Sequence, residues 1–388
     1  MIALDQSRTK RLTAIHGWSG TLLGILLYAV ILTGAVAVFA EEIGAWSQGG
    51  NQSDQGITTL IDRPVRTLAR DLDPALMEEV QISKTTSGDL RVAFNTHRTN
   101  PETGQTEDFG ALYHLDPATG EVLKSELGFA SERRGNAMGD ALERFLVDLH
   151  VRLYVPAPWG LLLTGILGLA MMVAAVSGFL MHRHLIRDAF LPPRGAERLV
   201  SARDRHVLAS TWSLPFGFLL AFTGAFFSFA VSLGLPVVAM VAFGGDQQQM
   251  VETVLGREAP AKTAAAPLAS LDYIVKESTA RAGTPPVSIQ IAGYGTEGAE
   301  VTAFHPPDNG RLTGAAHLFD GTTRAFTGIK PIIGTAPSVG GTVVSLMGPL
   351  HFGNFGGLLS KVTWLAMGAA MAYVTITGMR MWVRRRID

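Results

Sequence analysis

Residues 16–35, HGWSGTLLGILLYAVILTGA, decide the fold of this chain. The segment opens with a histidine, continues without a charged residue and ends in Thr33-Gly34-Ala35. The same arrangement returns at residues 206–225, and in both copies seventeen positions separate the histidine from the threonine. Two membrane spans with a histidine at matched depth predict a clamp for one flat cofactor, because neutral imidazoles on facing helices can bind a metal from both sides.

The composition is that of a membrane protein rather than of a soluble enzyme. The chain has 388 residues, of which 47% are apolar and only 17% are charged. Four apolar segments each exceed the roughly 20 residues that a helix needs to cross about 30 Å of hydrocarbon. The sequence therefore predicts four transmembrane helices, at residues 12–40, 153–182, 206–243 and 356–383.

Basic residues predict which parts of the chain are cytoplasmic. They occur in residues 1–11, in the short connection 183–205 and in the C-terminal residues 384–388. By the positive-inside rule, these three segments, which include both termini, are cytoplasmic. The first apolar segment is longer than the roughly 7–15 residues of a signal-peptide core, so it is expected to remain as an anchor.

An internal repeat predicts the overall architecture. Five positions of the second span correspond to five of the fourth at a constant offset of 200, four of them with the same residue and one with Thr for Ser: Gly168, Ala170, Met171, Ser177 and Gly178, and Gly368, Ala370, Met371, Thr377 and Gly378. The fold class is therefore membrane α-helical, a pseudo-symmetric four-helix transmembrane bundle of two inside-out-inside halves. The connections 41–152 and 244–355 are expected to form two small α+β extracytoplasmic domains, each with a strand-turn-strand, and residues 140–149 an interfacial helix.

The histidines carry the predicted chemistry. The chain has ten histidines and no cysteine, which excludes disulfides, iron–sulfur clusters and covalently attached c-type haem. Four histidines lie at symmetric span ends, His16 and His206 inside and His150 and His351 outside. Paired histidines without cysteine favour b-type haem with two axial imidazoles over a zinc site, so the sequence predicts two haem b groups.

Several histidines and small residues have a second interpretation. His182 and His184 are rivals as inner iron ligands, although a solvated cationic collar is the better interpretation of their basic surroundings. Four others are expected to be surface residues of the outer domains, with a weak metal or substrate contact as the alternative: His97, His114, His305 and His317. Small residues near two ligands fit a flat macrocycle or close helix packing equally well: Gly20 and Gly24, then Ser210, Ser213 and Gly217.

The chain resembles a known family, the PepSY-associated transmembrane proteins. The resemblance rests on short motifs that occur in the expected order over essentially the full length: His16-Gly17-Trp18, Thr33-Gly34-Ala35, Leu149-His150, Ser177-Gly178, His206 to Trp212, Pro215, Thr223-Gly224-Ala225, Leu350-His351 and Thr377-Gly378. The segment from Asp116 to Val122 resembles the strand turn of PepSY units. The second outer domain departs from that turn at Asp320-Gly321-Thr322-Thr323-Arg324.

The resemblance implies a bacterial inner-membrane electron carrier with haem near each face, which reduces ferric siderophore in the periplasm. No flavin or nicotinamide site is visible, so electrons would come from a separate cytoplasmic donor, a flavoprotein or quinol. One alternative is a cofactor-free, membrane-anchored PepSY binding or regulatory module. Another is a siderophore or iron transporter, which should show carboxylates or broken helices at mid-membrane; the first two spans are expected to lack both, whereas Pro215 and Pro236 lie in the third. The net charge of −1 gives no reason to expect a nucleic-acid partner.

Overall fold

The computed structural model describes residues 5–47, 56–58, 60–85, 88–101, 106–133, 141–182, 190, 198–256, 264–307 and 311–387. The chain divides into two compact units, and each unit is built from segments that are far apart in sequence. The helical unit consists of Met1–Ala40, Leu142–Pro236 and Met347–Asp388. The sheet unit consists of Glu41–Ala141 and Val237–Leu346.

The described secondary structure is as follows. The helices are α1 Gln6–Thr21, α2 Gly24–Ala37, α3 Ala40–Ser47, α4 Asp62–Arg70, α5 Ala130–Arg133, α6 Ala141–Arg152, α7 Trp159–Met181, α8 Arg198–Phe229, α9 Leu235–Ala242, α10 Gln247–Leu255, α11 Leu271–Ala282, α12 Val339–Phe352 and α13 Gly357–Ile387. The strands are β1 Glu79–Lys84, β2 Leu90–Thr99, β3 Thr106–Leu115, β4 Val122–Phe129, β5 Ser288–Ala292, β6 Glu300–His305, β7 Ala315–Asp320 and β8 Phe326–Pro331.

Three helical runs are long and apolar enough to cross a membrane, and the pair α1 and α2 makes a fourth if it is counted as one span. The three are Trp159–Met181, Ala202–Ala242 and Gly357–Arg384. The chain is therefore a membrane-type helical protein. Helix α8 continues through Pro215 and meets α9 at a single π-helical turn. Regular helix also stops between α6 and α7, where the chain contains Pro156 and Pro158, and between α12 and α13, where it contains Gly353 and Gly356.

The first span is bent, which corrects the expectation that the first two spans are unbroken. Helices α1 and α2 meet at an angle of 64°. Glycines on both sides of the break, Gly20 and Gly24, lower the cost of leaving helical geometry. The bend also changes the packing partner of the span, since α1 packs against α7 and α2 packs against α13. At the start of α2 an added Cβ on Gly24 would lie 2.6 Å from Sδ of Met379, so α2 and α13 are in close contact there.

The two outer connections form one sheet, not the two separate domains that the sequence predicted. The eight strands are antiparallel to their neighbours in the order β4-β3-β2-β1-β5-β6-β7-β8. The central pair β1 and β5 joins the halves, with Glu79 opposite Ala292 and Gln81 opposite Gln290. A shared sheet requires both connections to lie on the same side of a membrane.

One helix from each half covers the sheet, and each helix caps the other. The carboxylate of Asp272 in α11 accepts hydrogen bonds from the backbone N–H of Ile61 and Asp62, at 2.7 and 3.0 Å. The carboxylate of Asp62 in α4 in turn accepts one from Leu271 at 3.0 Å. These bonds satisfy N–H groups that a helix start leaves without partners. A single hydrophobic core beneath both helices draws buried residues from both halves of the sheet.

The two strand turns have the same construction despite their different sequences. The Asp116 carboxylate accepts from the backbone N–H of Ala118 and Thr119, and the Asp320 carboxylate accepts from the backbone N–H of Thr322 and Thr323. These bonds lower the pKa of both aspartates, that of Asp320 to about 2. Gly120 and Arg324 take the same left-handed position, with φ of 74° and 69°. The departure from the PepSY pattern in the second half therefore leaves the turn geometry unchanged.

Candidate functional site

The structure brings the four symmetric histidines together as two pairs within the helical unit. His16 on α1 faces His206 on α8, with ring centroids 6.3 Å apart. His150 on α6 faces His351 on α12, with ring centroids 6.1 Å apart. The histidines are thus paired as the matched positions along the sequence predicted, His16 with His206 and His150 with His351.

The first pair is held by the second long helix of each half, which is α7 for His16 and α13 for His206. His16 donates from Nδ1 to the carbonyl oxygen of Ala174 on α7, at 2.9 Å. His206 donates from Nδ1 to the carbonyl oxygen of Val374 on α13, at 3.1 Å. Because a carbonyl oxygen can only accept, the proton of each neutral ring is on Nδ1. The hydroxyl oxygens of Ser177 and Thr377 lie 3.3 and 3.0 Å from the same two Nδ1 atoms.

The second pair has the same tautomer but is anchored differently. His150 donates from Nδ1 to the carbonyl oxygen of Val30 on α2, at 2.9 Å. His351 has its Nδ1 2.8 Å from the hydroxyl oxygen of Thr223 on α8. That hydroxyl already donates to the carbonyl of Leu219 at 2.9 Å, so it accepts the proton of His351. Among the described residues no hydrogen bond uses Nε2 of any of the four rings, which leaves four lone pairs for a metal.

A glycine lies against each histidine and makes room for the imidazole. An added Cβ on Gly34 would lie 2.5 Å from Cε1 of His150, closer than real Cβ contacts come. At the other three positions the Cβ would lie 3.2 or 3.3 Å from Cε1 of His16, His351 and His206: Gly178, Gly224 and Gly378. Each glycine follows a Ser or Thr, and these residues are Thr33, Ser177, Thr223 and Thr377. The dipeptides therefore combine a hydroxyl with the space that the ring needs.

This function of the Ser/Thr-Gly dipeptides is what the sequence analysis missed. The dipeptides were predicted only as markers of the repeat, and other small residues were expected beside the ligands. Gly24 and Gly217 in fact lie against methionine side chains of neighbouring helices, and an added Cβ on Gly20 would meet nothing within 4 Å. The available signal was that at least one such dipeptide occurs in every predicted span.

The spacing of both pairs fits two imidazoles on opposite sides of one metal. Two imidazoles that bind a metal in line through bonds of about 2.0 Å have ring centroids about 6.3 Å apart. The observed 6.3 and 6.1 Å agree with that value. Each pair supplies only two ligands, and no group of three or more His, Cys, Asp or Glu that could hold an ion occurs in the described ranges. A metal held here would take its remaining ligands from outside the protein, and a porphyrin can supply four.

Helix α8 contacts both pairs, so the residue numbers along it give the distance between the pairs. His206 belongs to the first pair, and Thr223 holds the second, seventeen residues further along the helix. At 1.5 Å per residue this is about 26 Å along the helix axis. That distance is close to the roughly 30 Å of a hydrocarbon core. One pair therefore lies near each end of the spans.

Of the two rival inner ligands, only His182 belongs to the part of the chain that the structure describes. His182 follows α7 directly as its C-cap, and its backbone N–H donates to the carbonyl of Phe179. His184 lies outside the described residues.

His97 is part of the sheet unit, where its Nε2 lies 3.1 Å from the carboxylate of Asp108. That contact is the main cause that raises the pKa of His97 to about 9.

Two of the predicted surface histidines are in fact buried. His305 and His317 in the sheet unit are each 4% exposed, and their ring centroids are 4.6 Å apart. They lie on the core face because they continue the alternating rows of Val301, Ala303 and Phe319. Burial lowers the pKa of both imidazoles, that of His305 to about 4, so both are neutral at pH 7.

Fold and site together define a membrane protein with paired histidines in its helical unit. The family model for the PepSY-associated TM region matches residues 13–385, and the chain belongs to that family. The match includes all four paired histidines and both halves of the sheet unit. No curated protein matches the chain.

Proposed function

We propose that this protein is a di-haem electron carrier that reduces ferric siderophore on the extracytoplasmic side of a bacterial inner membrane. The observation that carries the proposal is the pairing of four histidines near opposite ends of the spans, with ring centroids 6.3 and 6.1 Å apart. His16 and His206 would hold one haem b, and His150 and His351 would hold the other. Bound there, haem supplies a one-electron Fe(III)/Fe(II) couple at each level.

The residues of the chain contribute position and electronic control. The acceptors on Nδ1 fix the ring orientation and the tautomer, and they raise the basicity of the Nε2 atom that faces the metal. Thr223, Ser177 and Thr377 are buried, so these bonds are not exchanged with water. The four-helix arrangement we propose then provides a low-dielectric surrounding between the two levels, which influences the redox potential.

The acceptor and the donor follow from the chemistry and from the family resemblance. Hard oxygen chelators hold Fe(III) well and Fe(II) less well, so a one-electron reduction of ferric siderophore releases iron. The basic residues of the termini and of residues 183–205 support cytoplasmic placement of those segments and outward placement of the sheet unit. The electron would come from a cytoplasmic flavoprotein or from quinol.

The test is the visible spectrum of the detergent-purified full chain from haem-replete cells, with haem per chain quantified. We expect about two haems in the wild type and about one in each of His16→Ala and His351→Ala. His182→Ala is the control and should keep both. Dithionite-reduced protein should then be reoxidised by ferric siderophore, with Fe(II) captured by a coloured chelator. A colourless wild-type protein would overturn the proposal and favour the cofactor-free binding module.

The bend of the first span favours a second candidate, a siderophore or iron transporter. Broken helices are typical of transporters that bind substrate at mid-membrane. Uptake of labelled ferric siderophore by liposomes containing the purified protein, without any reductant, would support this candidate. Reduction without uptake would exclude it.

A further inference from the structure

The buried histidines of the sheet unit are a third pair with its own geometry. In the register of the antiparallel strands β6 and β7, Ala303 is opposite His317 and His305 is opposite Ala315. The two histidines are therefore diagonal neighbours on the same face of the sheet, where side chains reach each other. Their ring planes are tilted by 46°, so they do not stack.

Polar atoms of this pair have no hydrogen-bond partner although they are buried. His305 donates from Nδ1 to the carbonyl of Thr284 at 2.9 Å, which leaves the lone pair on Nε2. That Nε2 atom, Nδ1 of His317 and the hydroxyl of Thr284 all lack a partner in the described structure. A buried polar atom without a partner costs about 1–3 kcal/mol, so three of them in one place indicate a missing ligand.

The first half of the sheet unit shows what packing alone places at these positions. In β2 and β3, Leu90 is opposite Leu115, Val92 opposite Tyr113 and Phe94 opposite Ala111, and Asp116 follows as Asp320 does in the second half. By this register Phe94 corresponds to His305, and Tyr113 corresponds to His317. Phe94 and Tyr113 form an edge-to-face aromatic pair with centroids 6.3 Å apart. Filling the core therefore does not require histidines here.

The distance between the two ring centroids is shorter than in the membrane pairs. A shorter distance is what two imidazoles need if they bind an ion that has no macrocycle between them. Imidazoles bound to one ion at about 2.0 Å have ring centroids about 5 Å apart at a tetrahedral angle and about 4.5 Å apart at a right angle. The observed 4.6 Å lies in this range, well below the in-line value of about 6.3 Å. The two rings can thus bind an ion side by side.

We propose that His305 Nε2 and His317 Nδ1 bind a divalent transition-metal ion of the class that prefers imidazole, such as Zn²⁺, in the sheet unit. The C-terminal end of α11 precedes Thr284, and its partial negative charge favours a cation. Arg281 is a nearby cation that would repel a metal ion. Its charge is paired with Glu277 at 2.8 Å, and its guanidinium lies over the ring of Phe326. Two protein ligands leave positions for water or a small ligand, so the ion is exchangeable.

The test compares the full-length protein with a variant that copies the first half. His305→Phe with His317→Tyr restores the aromatic pair and should keep the fold, which a thermal melt verifies. After equilibrium dialysis against Zn²⁺ and elemental analysis, the wild type should hold about one Zn²⁺ per chain more than this variant. His114→Gln, in the first half of the same sheet, is the control and should bind as the wild type does.

Zn²⁺ should also raise the unfolding temperature of the wild type but not that of the double variant, because it binds only the folded site. Haem iron is measured separately from zinc, so the result does not depend on the function proposed above. Equal zinc in wild type and double variant would overturn the proposal. So would a wild type that retains no zinc.

Discussion

In the di-haem protein that we propose, replacing Thr223 by valine tests what positions the second histidine pair, His150 and His351. Valine has the shape of threonine but no hydroxyl, so the substitution removes the acceptor that holds Nδ1 of His351 at 2.8 Å. Thr33 occupies the corresponding position of the first span and provides the matched control. Its hydroxyl bonds to the carbonyls of Ala29 and Val30 in its own helix, whereas His150 is held by a backbone carbonyl.

The expected magnitude follows from burial. Thr223 is 0% exposed, so the Nδ1–H of His351 loses its acceptor without gaining water. A buried donor left without a partner costs about 1–3 kcal/mol, which is roughly 5- to 150-fold in affinity. Loss of a hydrogen-bond partner behind a metal-bound histidine typically weakens metal binding about 10- to 100-fold. We therefore expect haem to leave the second pair, His150 and His351, about 10- to 100-fold faster in Thr223→Val.

The assay is haem release from the purified protein to an excess of a haem-scavenging globin, followed by absorbance. One of the two kinetic phases should accelerate in Thr223→Val, and Thr33→Val should change it less than about threefold. The midpoint potential of one haem should also rise, since His351 becomes a less basic ligand. Equal effects of the two substitutions, or no effect of either, would refute the assignment of Thr223 as the residue that positions His351.

Three further predictions address the ring space, the helix caps and the charge of the sheet unit. Gly34→Ala places a Cβ 2.5 Å from the ring of His150 and should cost about one haem per chain; Gly348→Ala, whose Cβ meets nothing closer than 3.8 Å, should cost none. Asp272→Ala removes the acceptor of two backbone N–H groups, so the free energy of unfolding of the sheet unit should fall by about 2 kcal/mol, and an unchanged melting temperature would contradict this. The raised pKa of His97 predicts a stabilisation that is full below pH 6.5 and is lost as the pH rises through about 9. Thermal melts at pH 7 and pH 10 should show this loss in the wild type and not in His97→Gln.

The spans and the four candidate histidines could be predicted because their signals are local and periodic. An apolar segment of sufficient length has few alternatives to a membrane helix, and a histidine at its end is visible directly. What holds the rings could not be predicted, since the bonds of His16 and His206 go to carbonyl groups of other helices. A backbone acceptor leaves no trace in residue type.

The merged sheet shows a different limit of sequence reasoning. Alternation predicts a strand but not its neighbour, and β1 pairs with a strand more than two hundred residues later. The burial of His305 was within reach of the same alternation, because Val301, Ala303 and His305 share one face of β6. The residue type, which is polar, outweighed the pattern in that interpretation.

The joined sheet also fixes an order of events during synthesis of the chain. Strand β1 can pair with β2 as soon as both have been made, but its other edge stays open until β5 has been made and lies on the same side of the membrane. Between these two strands the chain must insert both α7 and α8. During that interval α4 lacks the cap from Asp272, and half of the core is missing. Completion of the sheet unit therefore requires β5 to reach the side of the membrane on which β1 already lies, and the half-built sheet exposes an open strand edge until then.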